Sequence, residues 1–228
     1  MAKSAQSATK TSATKTTAPK PVTTRPARNH LREVATQKRR NQNLMLIGGA
    51  ALFVVLIGLV VYLNIRGQQP VAGEETFSSQ GNTHIEFGDP SPLAYNSIPP
   101  SSGPHYGNLV GWNVYQKDNP QRYEHLIHNL EDGGIVIYYQ CDADCVELVQ
   151  QLSDVVDPYL KAGKHVVVAP NDPNWTINNS QPLHQDMGAR IALTAWTKQL
   201  KLDDVNADTI RAFIDRYVGI DHHVAGQG

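Results

Sequence analysis

The chain has 228 residues and a formal net charge of −1, with 20 Lys and Arg against 21 Asp and Glu. That length holds one folded domain with appendages and excludes a train of several domains. The near-neutral total conceals a split: ten Lys or Arg and the lone acid Glu33 fall in residues 1–43, and the other ten basic residues face twenty acids after the apolar segment.

Residues 1–43 are mostly Ala, Thr, Ser, Lys, Gln and Pro. They bury too little apolar surface to offset ordering entropy, which predicts a disordered basic cytoplasmic tail. Its lysines are scattered with no aromatics between them, so a topology signal is favoured and no nucleic-acid partner is expected. Leu44 to Ile65 reads LMLIGGAALFVVLIGLVVYLNI, 22 residues without a charge. As a helix it spans about 33 Å, enough for a hydrocarbon core of about 30 Å. A cleaved signal peptide needs a short leader and a small-residue cleavage site, whereas here 43 residues precede the run and Asn64-Ile65-Arg66 closes it. The reading is an uncleaved single-pass transmembrane helix. Lys38, Arg39 and Arg40 before it, against Arg66 after it, place the amino terminus in the cytoplasm and the rest in the periplasm or outside the cell.

Residues 66–82 read as a linker, 83–219 as an extracytoplasmic globular domain and 220–228 as a flexible tail. Phe87 to Trp112 is a Pro- and Gly-rich arm, too long for a simple connector. Gln121 to Leu130 reads as a short helix or a strand approach. Ile135 to Tyr139 (IVIYY) predicts a buried strand. Val146, Val149, Leu152, Val155, Val156 and Leu160 predict an amphipathic helix over 145–160. Strands are expected at 164–169 and 190–196. Ile210, Phe213, Ile214 and Tyr217 share a face of a closing helix over 206–218. The order gives an α+β domain, a mixed sheet with packed helices.

Eight of the nine histidines follow the apolar run. His128, Glu131 and Asp132 stand at i, i+3 and i+4, so a helix would align them on one face. Imidazole and carboxylate suit zinc, copper or iron. A polar network fixing the turn before Gly133-Gly134 explains the same residues. His105, in SGPHYG, is a further candidate ligand, or a residue holding the Pro-rich arm. Cys141 and Cys145, the two cysteines, form C-x-x-x-C between a predicted strand and helix. Outside the cytoplasm a lone pair is expected to be a disulfide. Soft thiolates at a helix start also suit copper(I) or redox chemistry, which Asp142 and Asp144 oppose. His184 and Met187 are weaker copper candidates, and His222 and His223 carry no assigned role. No nucleophile elbow, phosphate loop or H-E-x-x-H is present, which favours a non-enzymatic reading.

The words YNSIPPSSGPHYG, WNVY, HNLEDGGIVIYY and IALTAW, with the cysteine pair before VELVQQL, resemble the bacterial family called domain of unknown function 3105. The resemblance runs from about Tyr95 to Tyr217 and implies a membrane-anchored extracytoplasmic protein without an established activity. Members usually read HNLEHGG, and that His-x-x-Glu-His version resembles a metal cluster; here Asp132 replaces the second histidine. The IDHHVAG end also lacks the Pro-Glu that many members carry. Strand, C-x-x-x-C, helix, two strands and helix are similar in order to the copper-chaperone Sco proteins of thioredoxin fold, without the prolines usual beside their cysteines. Three functions follow: an anchored envelope domain that binds a protein partner in a membrane complex, which is favoured; an extracytoplasmic copper or zinc protein using His105, His128, Glu131, Cys141 and Cys145; and a thiol-redox protein.

Overall fold

A computed structural model describes residues 25–67, 69–142, 145–178 and 180–223, with the backbone alone for 25–31 and 64–67. The chain divides into two compact units between Leu63 and Asn64.

The first unit is built on α1 (Arg25–Gly67), a 43-residue helix. Residues 32–63 form a helix long and apolar enough to cross a membrane, and its large apolar side chains, such as Leu46, Phe53 and Val60, are exposed. The predicted tail from residue 25 to 43 is therefore helical. Helix propagation costs little once a stable segment exists, and Arg, Ala, Leu, Glu, Gln and Lys in this stretch are good helix formers. Pro26 sits in the first turn, where its missing N–H costs nothing. The predicted disorder of residues 1–24 lies outside the described residues.

The second unit is α+β. Its five-stranded mixed sheet has the order β1 (Glu74–Thr76), β7 (Lys198–Leu202), β6 (Ile191–Ala195), β4 (Ile135–Tyr139), β5 (Val166–Pro170). Only β4 and β5 are parallel, joined across α3 (Val146–Lys161); the other pairs are antiparallel. Ile135, Ile137 and Tyr139 face α3 and α4 (Ala207–Tyr217), while Val136 and Tyr138 face α2 (Tyr123–Glu131). Cover on both faces explains why IVIYY and VVVA read as unbroken apolar runs rather than alternating ones. In α3, Leu148, Val149, Leu152, Val155 and Val156 are buried, whereas Val146 is exposed at the first helical position. Asn206 caps α4 by accepting from the Thr209 N–H at 3.1 Å.

Two elements depart from the sequence reading. Residues 74–76, expected in a linker, form the edge strand β1 on β7. β7 itself carries no strong strand signal, and the two-residue turn before it, Trp196-Thr197, lacks Gly or Asn although Thr197 has φ 62°. That strained turn is held from outside: the Thr197 N–H donates to Ser101 O at 2.9 Å and its carbonyl accepts from Phe77 N–H at 2.9 Å. A separate parallel pair, β2 (His84–Ile85) and β3 (His105–Tyr106), lies beside α2.

Candidate metal centre

α2 builds the centre. Leu126, Ile127 and Leu130 bury its apolar face, which turns His128 and Glu131 together to the other side, with Asp132 as the C-cap. Its C-terminal turn is pinned: the Gly134 N–H donates to Asn129 O at 2.8 Å and the Gly133 N–H to Leu130 O at 3.1 Å. Two carboxylates thus sit at the negative end of a helix dipole, a place that favours cations. The parallel register of β2 and β3 sets His84 beside His105, with ring centroids 5.0 Å apart. The Asn129 amide, fully buried, bonds both backbone groups of Val110 and so ties the segment after β3 to α2.

Glu131 is the hub, and it is buried. Its Oε1 accepts from Asn82 Nδ2 at 2.8 Å. Around Oε2 stand His105 Nε2 at 2.8 Å, His84 Nε2 at 3.5 Å, His223 Nε2 at 3.6 Å and His128 Nδ1 at 4.0 Å. His105 is fully buried, and its Nδ1 donates to the Gly103 carbonyl at 2.8 Å. With Nδ1 donating to Gly103, the His105 Nε2 meets the carboxylate across a position that takes either a ring proton, as a charged hydrogen bond, or a cation. A backbone carbonyl holding one ring nitrogen is also how metal-binding histidines are oriented. The Nδ1 of His128 is buried and has no hydrogen-bond partner among the described residues. The liganding atoms of His84, His105, His128 and Glu131 lie within 4.8 Å of one another.

Protonation states agree with this geometry. Burial, opposed by Asp132, draws the His128 pKa down and keeps the ring neutral. Burial alone would raise Glu131, but hydrogen bonds from Asn82 and His105 outweigh it and hold the carboxyl below its usual range. A neutral His128 facing an ionised Glu131 is the form a metal requires.

The five residues singled out from sequence do not form one site. His105, His128 and Glu131 converge. Cys141 and Cys145 instead meet at disulfide distance, with Cα atoms 6.4 Å apart, and pack with the α3 side of the sheet. α2 packs on the opposite face, because successive side chains of β4 alternate between the two layers. Asp144 lies outside the described residues. His84 and His223 were not anticipated; their sequence surroundings hold no ligand spacing, and only the histidine count hinted at them. The expected tail also begins later than predicted, since His222 N–H donates to Glu131 O at 2.9 Å and Gly219 N–H to Gly133 O at 2.7 Å.

His184 and Met187 are core residues. Met187 is buried. His184 Nε2 donates to Gln121 O at 2.9 Å, its Nδ1 accepts from Asp172 N–H at 3.0 Å, and its ring stacks on Tyr123. Burial lowers its pKa to about 4. The unfolded chain takes up that proton near pH 6.5, so the neutral ring's contribution is complete above this value and is lost as pH falls towards 4. We expect this histidine to account for about 3 kcal/mol of acid destabilisation, at roughly 1.4 kcal/mol per pH unit. All three tryptophans lie in the second unit, so their fluorescence during urea unfolding reports it selectively. His184→Asn should flatten the stability profile between those pH values by about one proton; an unchanged slope would show that the ring titrates normally.

A family model described as "Protein of unknown function (DUF3105)" matches residues 88–225. The chain belongs to this family. The match spans His105, His128, Glu131, Asp132 and His223, whereas Asn82 and His84 precede it. No curated protein and no solved structure matches the chain.

Proposed function

We propose that this DUF3105 protein is a membrane-anchored, extracytoplasmic metal-binding protein that holds a divalent zinc or copper ion with His84, His105, His128 and Glu131. One observation carries the reading: a buried His128 Nδ1, without a hydrogen-bond partner among the described residues, faces, with two other imidazoles, a single carboxylate oxygen of Glu131. Ligands about 2.1 Å from zinc at tetrahedral angles lie about 3.4 Å from one another. The separations of 3.5 and 4.0 Å from Glu131 Oε2 are near that value and too long for good hydrogen bonds. Three nitrogens and one oxygen suit zinc(II) or copper(II) more than copper(I), which prefers sulfur. Four protein ligands close a tetrahedral site, which favours a structural or storage role over catalysis. The protein-partner reading draws on the apolar helix, the linker expected over residues 66–82 and the lack of nucleophile and phosphate-loop motifs in the sequence.

The test is elemental analysis of the full-length chain, purified in detergent without a histidine tag. At least one zinc or copper ion per chain is expected. Folded protein that neither retains nor takes up either metal would overturn the reading.

The cysteine pair reads as a structural disulfide. A loop this short constrains the unfolded chain by about 2 kcal/mol at most. Reduction, or Cys141→Ser, should lower the urea midpoint modestly and leave the metal content unchanged, because the pair belongs to the other sheet face. Metal lost on reduction would return the thiols to the ligand set. The thiol-redox alternative is favoured by one feature, Cys145 as the N-cap of α3 after β4, in the thioredoxin-like element order. It requires the pair to exchange readily with glutathione, whereas a structural disulfide resists.

A further inference from the structure

We infer that the chain carries a second divalent-ion site beside the first, made by Asp132 and His223 with His128 shared between them. This rests on the metal reading above and extends it. His128 faces Glu131 Oε2 with Nδ1 and Asp132 Oδ2 with Nε2, each at 4.0 Å. One imidazole therefore presents its two nitrogens to two carboxylates; holding an ion on each, it would give up its ring N–H proton to solvent and bind as imidazolate. His223 Nε2 lies 3.6 Å from Asp132 Oδ1 and 3.6 Å from Glu131 Oε2. The separation from Asp132 exceeds a good hydrogen bond and matches two ligands around one ion, and that from Glu131 sets His223 between the two carboxylates. The liganding atoms of His128, Asp132 and His223 all lie within 4.8 Å of one another.

The second observation is how His223 is held. Its Nδ1 bonds the Asp221 carboxylate at 2.8 Å, and Asp221 also accepts the His223 backbone N–H at 2.9 Å. A carboxylate on one ring nitrogen leaves the other as the metal ligand and raises its basicity. The segment carrying it is docked by main chain. Gly219 and His222 donate to Gly133 and Glu131, and Gly133 is in the left-handed region at φ 72°. A Cβ there would lie 2.8 to 2.9 Å from the Ile220 backbone, so glycine lets the strap lie flat against the α2 terminus. The side chain of Asp132 is 25% exposed and that of His223 39%, against 1% for Glu131. Three protein ligands leave the second site with an open coordination position and make it exchangeable, beside a first site with four.

Zinc(II) is the probe, added to the tag-free full-length chain by equilibrium dialysis and read by elemental analysis. Wild type should bind two ions, one of them at least tenfold weaker. His223→Ala and the conservative Asp132→Asn should each bind one, with the tighter affinity retained. With copper(II), two ions sharing an imidazole couple magnetically, so the wild-type paramagnetic signal should fall short of two spins and His223→Ala should restore one full spin. One zinc in wild type, unchanged in His223→Ala, overturns the second site and leaves the first standing. A single zinc whose affinity drops in His223→Ala places His223 in the first site and also overturns the pair. Two ions in both variants overturn this ligand assignment. No ion in folded wild type overturns both readings.

Discussion

Glu131→Gln should leave the second unit folded and empty the site formed by His84, His105 and His128. The substitution keeps the side-chain volume. Its amide oxygen can still accept from Asn82 Nδ2, and its NH₂ group then takes the place of Oε2 and donates to the Nε2 of His105. The fold thus retains its polar contacts. The ion loses its one anionic ligand, and a donor N–H points at the position it would occupy. We expect affinity to fall at least about 100-fold, beyond what loss of a supporting residue causes. Metal analysis reads this directly. Stability provides a second reading: zinc at 100 times its dissociation constant stabilises a native state by about 2.7 kcal/mol. Wild type should show that gain in tryptophan-monitored unfolding, and Glu131→Gln should not. A variant that keeps a full complement of metal would show that the histidines bind without the carboxylate.

Gly134→Ala carries the largest expected loss of stability. A Cβ at this position would lie 2.5 Å from the backbone oxygen of Asn129 and 2.5 Å from Cζ3 of Trp112. Neither neighbour can yield easily. The Asn129 carbonyl accepts the Gly134 N–H that closes the α2 terminus, and the Trp112 ring stacks on His165 with centroids 4.3 Å apart. Relief requires the ring to leave that stack or the end of α2 to shift. We expect about 3 kcal/mol of destabilisation, at the upper end of overpacking effects. Urea unfolding followed by tryptophan fluorescence would measure it. A loss below about 0.5 kcal/mol, the range of an ordinary surface substitution, would contradict so close an approach. The same glycine explains why the hub carboxylate is held so firmly: the turn it permits fixes the last residues of α2, including Glu131.

The elements with strong patterns were legible in order and type. IVIYY, KHVVVA and RIALTAW became β4, β5 and β6, and the apolar spacings over 145–160 and 206–218 became α3 and α4. β1 and β7 were not, because an edge pair takes its order from its neighbours and the Trp196-Thr197 turn lacks the residues that announce a hairpin. The tether was read too long for the same reason. Val71 packs on the core and Asn82 reaches Glu131, contacts no local composition encodes.

By itself, the sequence determined the long apolar helix, the charge asymmetry around it, the α+β order and the alignment of His128 with Glu131, since these follow from composition and from a helix period that acts within one segment. Tertiary structure alone decided which histidines meet. His84 and His105 are brought together by a parallel pairing across the Pro-rich arm, and His223 by a strap lying on Gly133. It also separated the cysteines from the histidines, because alternation along β4 sends Tyr139 and the thiols to one layer and Tyr138 and α2 to the other. A metal site needs atoms within a few ångströms of a point, and residues 84, 105 and 128 share one such point, and residues 128, 132 and 223 the next, only once the chain has folded.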